Sequence, residues 1–228
     1  MAQNYTAWPV QADIDERLVS AGLTARSGTA AGYYTQLVDA VVAYLTKKTH
    51  RQFLKGSDGE IRYYDGSGTG ELEVDDYVSF SAVQVLGFVG PNLLLTLSNV
   101  ASAPTTTFPN NRLIIFQSSL PQLNIQYLNY FPRGRRNIKV TGQFGYGAYI
   151  PDDVWMGVCG KVASIMAAEA VQGGTAGRAK KWIEGDASEE LDLKLPGEAI
   201  GWDATFKEII TTYRKPMMAR KRLQPEMI

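Results

Sequence analysis

The strongest constraint on the fold is a change of hydrophobic period that happens twice. In residues 30–48, AAGYYTQLVDAVVAYLTKK, the residues Tyr34, Leu37, Val38, Val41 and Leu45 recur at helical spacing, which gathers one apolar stripe for burial. Between about residues 59 and 145 the period becomes two, interrupted by Gly, Pro and Asn, so alternate side chains face opposite sides of strands. The helical period returns at IPDDVWMGVCGKVASIMAAEAV. This order predicts an α+β fold: a helical bundle formed by N- and C-terminal helices, with an inserted antiparallel β-rich section.

Residues 12–22, ADIDERLVSAG, read as a short helix, with Asp13 placed to cap its start and Gly22 its end. In the third helical stretch Pro151, Asp152 and Asp153 suit a helix start. There Val154, Val158, Val162 and Ile165 form one stripe, while Gly157, Gly160, Ser164 and Ala168 form a second stripe of small side chains. Glycine costs about 1 kcal/mol in a helix interior, so the small stripe predicts another helix packed closely against it. A last helix is expected over about 203–214. The expected division is 1–57 for the N-terminal helices, 58–147 for the β-rich section, 148–214 for the C-terminal helices and 215–228 for an aperiodic arm.

The 228 residues are 45% apolar, enough for a packed core, and carry 23 basic and 23 acidic groups. That balance gives no support to wholesale binding of nucleic acid or membrane surfaces. The single cysteine, Cys159, rules out an internal disulfide framework and a cysteine-built zinc site. No apolar run reaches the roughly 18–20 residues of a spanning helix, and the first residues do not read as a secretion signal. Synthesis in a reducing cytoplasm is the expectation.

The stretch YYDGSGTGELEV, residues 63–74, resembles a phosphate loop at first sight. A P-loop needs a lysine at the mouth of a helix. Here no lysine follows Gly70, and the next residues alternate as a strand. The stretch therefore predicts a hairpin-like glycine turn between two strands. Glu71, Glu73 and Asp75 alternate onto one face. They read as a solvated sheet face with Leu72 and Val74 turned inward, or as ligands of a hard cation. His50 is the only histidine. Cys159 reads as packed core, with a Cys159–His50 pair as the reactive alternative. No catalytic, cofactor-binding or metal site is expected from these residues.

Two basic clusters remain. Arg133, Arg135 and Arg136 crowd the turn FPRGRR, read as a hairpin tip, and Arg214, Lys215, Arg220, Lys221 and Arg222 crowd the C-terminal segment. Either could contact phosphates, stay solvated or dock on an acidic protein. The 11% aromatic content leans towards a protein–protein assembly role.

The order of these motifs resembles the head–tail connector proteins of tailed bacteriophages, also called adaptor or head completion proteins. The resemblance is carried by Ala21-Gly22, the hairpin-like stretch 63–74, VSFSAVQVLG at 78–87, NIKVTGQFGYG at 137–147, the helix opening IPDDVW at 150–169, and IITTYRK at 209–215. It implies a non-enzymatic virion structural protein of the neck, at the capsid–tail junction. It also implies a homo-oligomeric ring, often a dodecamer, that binds the portal and joins it to the stopper or tail. Genomic DNA would pass through the ring without sequence-specific binding. C-terminal segments of the family reach the portal, which implies a portal interface in Arg214, Lys215, Met217, Met218, Arg220, Lys221, Arg222 and Leu223. The span of about 88–130 looks like an extra β-rich insertion relative to smaller members. The alternatives are another neck or tail-completion protein, a β-rich binding module or enzyme, or a nucleic-acid binder using the two basic clusters.

Overall fold

The computed structural model describes residues 4–23, 31–86, 94–97, 99–102, 110–116, 118–120, 125–171 and 197–215. Four helices lie among them: α1 (Gln11–Ser20), α2 (Ala31–Thr49), α3 (Asp152–Val171) and α4 (Gly197–Tyr213). The strands are β1 (Glu60–Gly66), β2 (Glu71–Leu86), β3 (Leu94–Thr96), β4 (Val100–Ser102), β5 (Asn110–Ile115), β6 (Ser118–Leu120), β7 (Ile125–Leu128) and β8 (Gly134–Phe144). The fold is α+β, as the two period changes predict.

All four helices feed one apolar cluster. Ile14 and Leu18 of α1, the α2 stripe, Val154, Val158 and Val162 of α3, and Trp202, Phe206 and Ile209 of α4 are buried together. The small stripe of α3 receives α4, because a β-carbon at Gly157 would collide with Ile209 and one at Gly160 would press on Trp202. Lys161 pairs with Asp203 across the same contact, and the Ser164 hydroxyl lies 3.3 Å from that carboxylate. At α1 the helix start differs from expectation. Asp13 sits one turn in and accepts from the Val10 N–H at 2.8 Å, so it stabilises the first turn by reaching back rather than by standing at the cap.

The main sheet is antiparallel in the order β1-β8-β2-β5-β4, with β3 also on β2. Its core is a second cluster, with Leu72, Val74, Val83 and Val85 of β2, Leu113 and Ile115 of β5, and Ile138, Val140 and Phe144 of β8. The 16-residue β2 is shared between partners. Its first part pairs with β5 from Glu71↔Ile114, and its second with β8 from Tyr77↔Phe144 to Val85↔Ile138. Register shifts at Glu73/Tyr77, Tyr77/Ser79 and Phe80/Ala82 bend the strand between them.

Three expectations change here. The stretch 66–70 is not a hairpin turn, because β8 lies between β1 and β2 and pairs with both. The loop instead crosses the entry to β8. Arg133, Arg135 and Arg136 are likewise not at a hairpin tip: β7 pairs with β6 in a separate two-stranded sheet, while β8 belongs to the main one. Finally, part of the span 88–130 is integral to the main sheet, since β3 and β5 pair with β2 and Leu113 is fully buried.

Candidate functional site

Two charged regions stand out, one inside the molecule and one on its surface. The first is the joint between the helices and the sheet. Alternation along β2 turns Leu72, Val74 and then Asp76 inward, and the bulge that follows buries Tyr77 as well. Asp76 is 3% exposed and meets Arg51, 11% exposed, just past the end of α2. The Arg51 Nη1 donates to both carboxylate oxygens at 2.9 and 2.8 Å. Burial pushes the Asp76 carboxyl above its ordinary value, while the Arg51 guanidinium pulls it back.

Arg51 also ties down the last turn of α4. Its Nε donates to the Tyr213 carbonyl at 2.6 Å, and its guanidinium lies over the Tyr146 ring at 5.5 Å. A cation at a helix C-terminus meets the negative end of the helix dipole. Phe53, Tyr146 and Tyr213 pack as a three-ring cluster with centroids 5.4–5.5 Å apart. The Tyr213 hydroxyl donates to Asp153 at the start of α3 at 2.8 Å, and burial, with that carboxylate, raises its pKa.

Lys215 completes the joint. Its backbone N–H donates to the Thr49 carbonyl at 2.9 Å, and its Nζ donates to the Val74 carbonyl at 2.9 Å and lies 3.8 Å from Glu73. Residues from α2, α3, α4, β2 and the end of β8 thus converge on one point.

The second region is the turn at the entry to β8: Arg133 stands just before the strand, and Arg135 and Arg136 stand in its first three residues, where the positive φ of Arg136 and the register shift at Tyr64/Gly66 bend it. Arg133, Arg135 and Arg136 are exposed there. The backbone beneath them is braced by the glycine loop. Gly68 N–H donates to the Phe131 carbonyl, and Phe131 N–H to the Thr69 carbonyl, both at 2.8 Å. Gly66 N–H donates to Asn137 Oδ1 at 2.8 Å, and Asn137 Nδ2 donates to the Pro132 carbonyl at 2.8 Å. A β-carbon at Gly66 would collide with that Pro132 carbonyl oxygen, so close backbone approach requires glycine here. Arg136 has φ 51° and donates its N–H to Asp65 at 2.7 Å, with its guanidinium over Tyr63.

The other sequence candidates separate. Glu71, Glu73 and Asp75 do share the exposed side of β2, with Leu72 and Val74 buried. Each has its own cation, Arg112 at 3.9 Å, Lys215 at 3.8 Å and Arg62 at 2.8 Å respectively. Among the described residues no group of three or more His, Cys, Asp or Glu could hold a metal ion. Cys159 is buried in α3, 3.5 Å from the Asp13 carbonyl, and burial pushes its thiol up to about 12. His50 is exposed at the end of α2, and the Cys159–His50 pair is not formed. Of the C-terminal residues, Arg214 is exposed and Lys215 is held in the joint. Met217, Met218, Arg220, Lys221, Arg222 and Leu223 lie outside the described residues.

Sequence reasoning missed Asp76 and Arg51. The signal was present, because the alternation that turns Leu72 and Val74 inward also turns Asp76 inward, and a buried carboxylate demands a partner.

No protein-family model matches this chain, and no curated protein sequence does. Solved structures do match along the whole length. A chain in the neck of an empty gene transfer agent (GTA) particle, computed with C6 symmetry, aligns with a TM-score of 0.53 at 15% identity, covering 97% of this chain and 99% of that one. A chain in the neck of a native GTA particle, computed with C12 symmetry, aligns with a TM-score of 0.50 at 14% identity over the same shares. The fold described above, helices and sheet in this order, is therefore the fold of a chain found in a particle neck.

Proposed function

We propose that this chain is a structural subunit of a virion neck, repeated as a ring that adapts the portal vertex of a capsid to its stopper or tail. The observation that carries the reading is the end-to-end correspondence with neck chains, 97% of this chain against 99% of the other. A shared domain alone would leave one partner uncovered; here both are covered. C12 symmetry in one of those necks supports a homo-oligomeric ring of twelve. Portal binding is assigned to Arg214 and the C-terminal segment 215–228, whose first residue, Lys215, is held in the joint. DNA would pass through the ring, and the protein, made in the host cytoplasm, would end in the virion.

The test is electron microscopy of virions produced with and without this chain. The expected result is a ring of this protein between capsid and tail, and unjoined heads and tails in its absence. Deleting residues 216–228 should leave the fold intact and prevent joining. A neck complete without this protein, or its density elsewhere in the particle, overturns the reading. Density in the neck but beyond the adaptor position would reassign it to a stopper or tail-completion role.

A further inference from the structure

We propose that the turn carrying Arg133, Arg135 and Arg136 is a contact site for the phosphate backbone of nucleic acid, read without sequence preference. Within the whole chain, basic and acidic groups balance at 23 each, so any excess of cations is local. At the joint the cations are matched. Arg51 faces Asp76, and Lys215 faces Glu73. On the exposed face of β2 the carboxylates of Glu71, Glu73 and Asp75 each have a cation of their own. At the turn three arginines meet one carboxylate, Asp65, which accepts from the Arg136 backbone. Arg133 and Arg135 have no ion pair among the described residues.

The turn is also built to hold its position. Four hydrogen bonds of 2.8 Å tie together six residues of the segments 66–69 and 131–137, on top of a fully buried Phe131. A mobile basic loop loses conformational freedom on contact; a braced one loses less. Guanidinium groups match phosphate geometry in two-point contacts. Exposed Tyr63 and Tyr130, 42% and 41% accessible, border the turn with hydroxyl donors. Three arginines within four residues give too short a surface to lie along a groove, which favours backbone contact over base reading. An acidic surface on a second copy is the competing partner. Competition by poly-glutamate separates it from DNA. The inference rests on the neck reading only in naming DNA as the polyanion present.

The experiment uses the full chain and a short fluorescent duplex of random sequence, with anisotropy read across salt concentrations. Three phosphate contacts per protomer predict a log–log salt slope of about −2.7, which is a roughly fortyfold loss of affinity between about 50 and 200 mM salt. Substituting all three arginines by Gln should abolish that slope, while Lys47→Gln with Lys48→Gln on α2 should leave it unchanged. The Arg135 side chain makes no hydrogen bond or ion pair among the described residues. Arg135→Gln alone therefore serves if the triple variant fails to fold, and should lower the slope by about 0.9. Absence of binding at low salt, an unchanged slope in the variants, or displacement of the duplex by poly-glutamate as readily as by unlabelled DNA overturns the proposal. A ring at the neck that does not bind DNA overturns this inference and leaves the function standing. Binding by a chain that never enters the neck does the reverse.

Discussion

At the joint, a cation and a carboxylate are taken out of water together and locked by two hydrogen bonds; at the turn, three cations are left in water over a rigid base. Arg51 and Asp76 are worth little as a source of net stability, because desolvation of both ions offsets their attraction. What they supply is direction, since the Arg51 fork fits only one arrangement of α2, α4 and β2. The arginines of the turn do the opposite. They leave the fold almost indifferent to their presence and are held ready for something outside it. Burial therefore separates charges that build the molecule from charges that serve an encounter.

The comparison breaks first at Asp76. Asp76→Ala leaves a buried guanidinium without its partner, and chemical denaturation should show a loss of about 3–5 kcal/mol. Replacing both members, Arg51→Met with Asp76→Leu, should recover most of that loss. A double variant as unstable as the single one would mean that Arg51, through the pair or through its bond to the Tyr213 carbonyl, stabilises the fold. Gly66→Ala comes next. Its methyl group would press on the Pro132 backbone, which has no flexible end to move aside, and the expected cost is about 1–3 kcal/mol. The same variant should weaken any contact made by the turn, since it disturbs the brace beneath it.

Cys159 gives a third measurement, on the helical core. Its folded pKa of about 12 stands above the ordinary 9.0 because of burial. The unfolded chain therefore loses the thiol proton first, and this group's contribution is complete below pH 9 and falls away as pH rises towards 12. Well inside that window, stability should fall by about 1.4 kcal/mol per pH unit more steeply than in Cys159→Ala. Equal slopes would place the thiol in water. The smallest effect belongs to Arg135→Gln, whose free energy of unfolding should change by no more than about 0.5 kcal/mol. A larger shift would assign the arginine to architecture and erase the contrast with Asp76.

The sequence was most legible where structure is local. The stripes of α2 and α3 and the inward pair Leu72 and Val74 follow from periodicity alone, because burial of one face needs no knowledge of the partner. The small stripe of α3 also pointed correctly to a close helix, now α4, since glycines in a helix are tolerated where a neighbour needs the space. Pairing was not legible. Nothing in residues 60–77 tells that β8 will sit between β1 and β2, and adjacent strands joined by a glycine turn ordinarily pair with each other. The arginines of the turn were found as a cluster, but their brace was hidden, being built from main-chain groups of two separated segments. Asp76 was overlooked because a doublet, Asp75-Asp76, looks like solvated charge until the inward face is counted through it.

The placement of β8 has a consequence for how the chain is made. During synthesis β1 and β2 emerge early, yet the strand that pairs with both is not available until residue 144 has left the ribosome. The N-terminal segment waits in the same way, because Tyr5 bridges to Ile150 and the Trp155 indole donates to the Ala7 carbonyl. Neither core can close from its first half alone. Topology of this kind gives slow, late folding, with unpaired strand edges exposed on the way. Both cores therefore close late, once the segments that complete them have emerged.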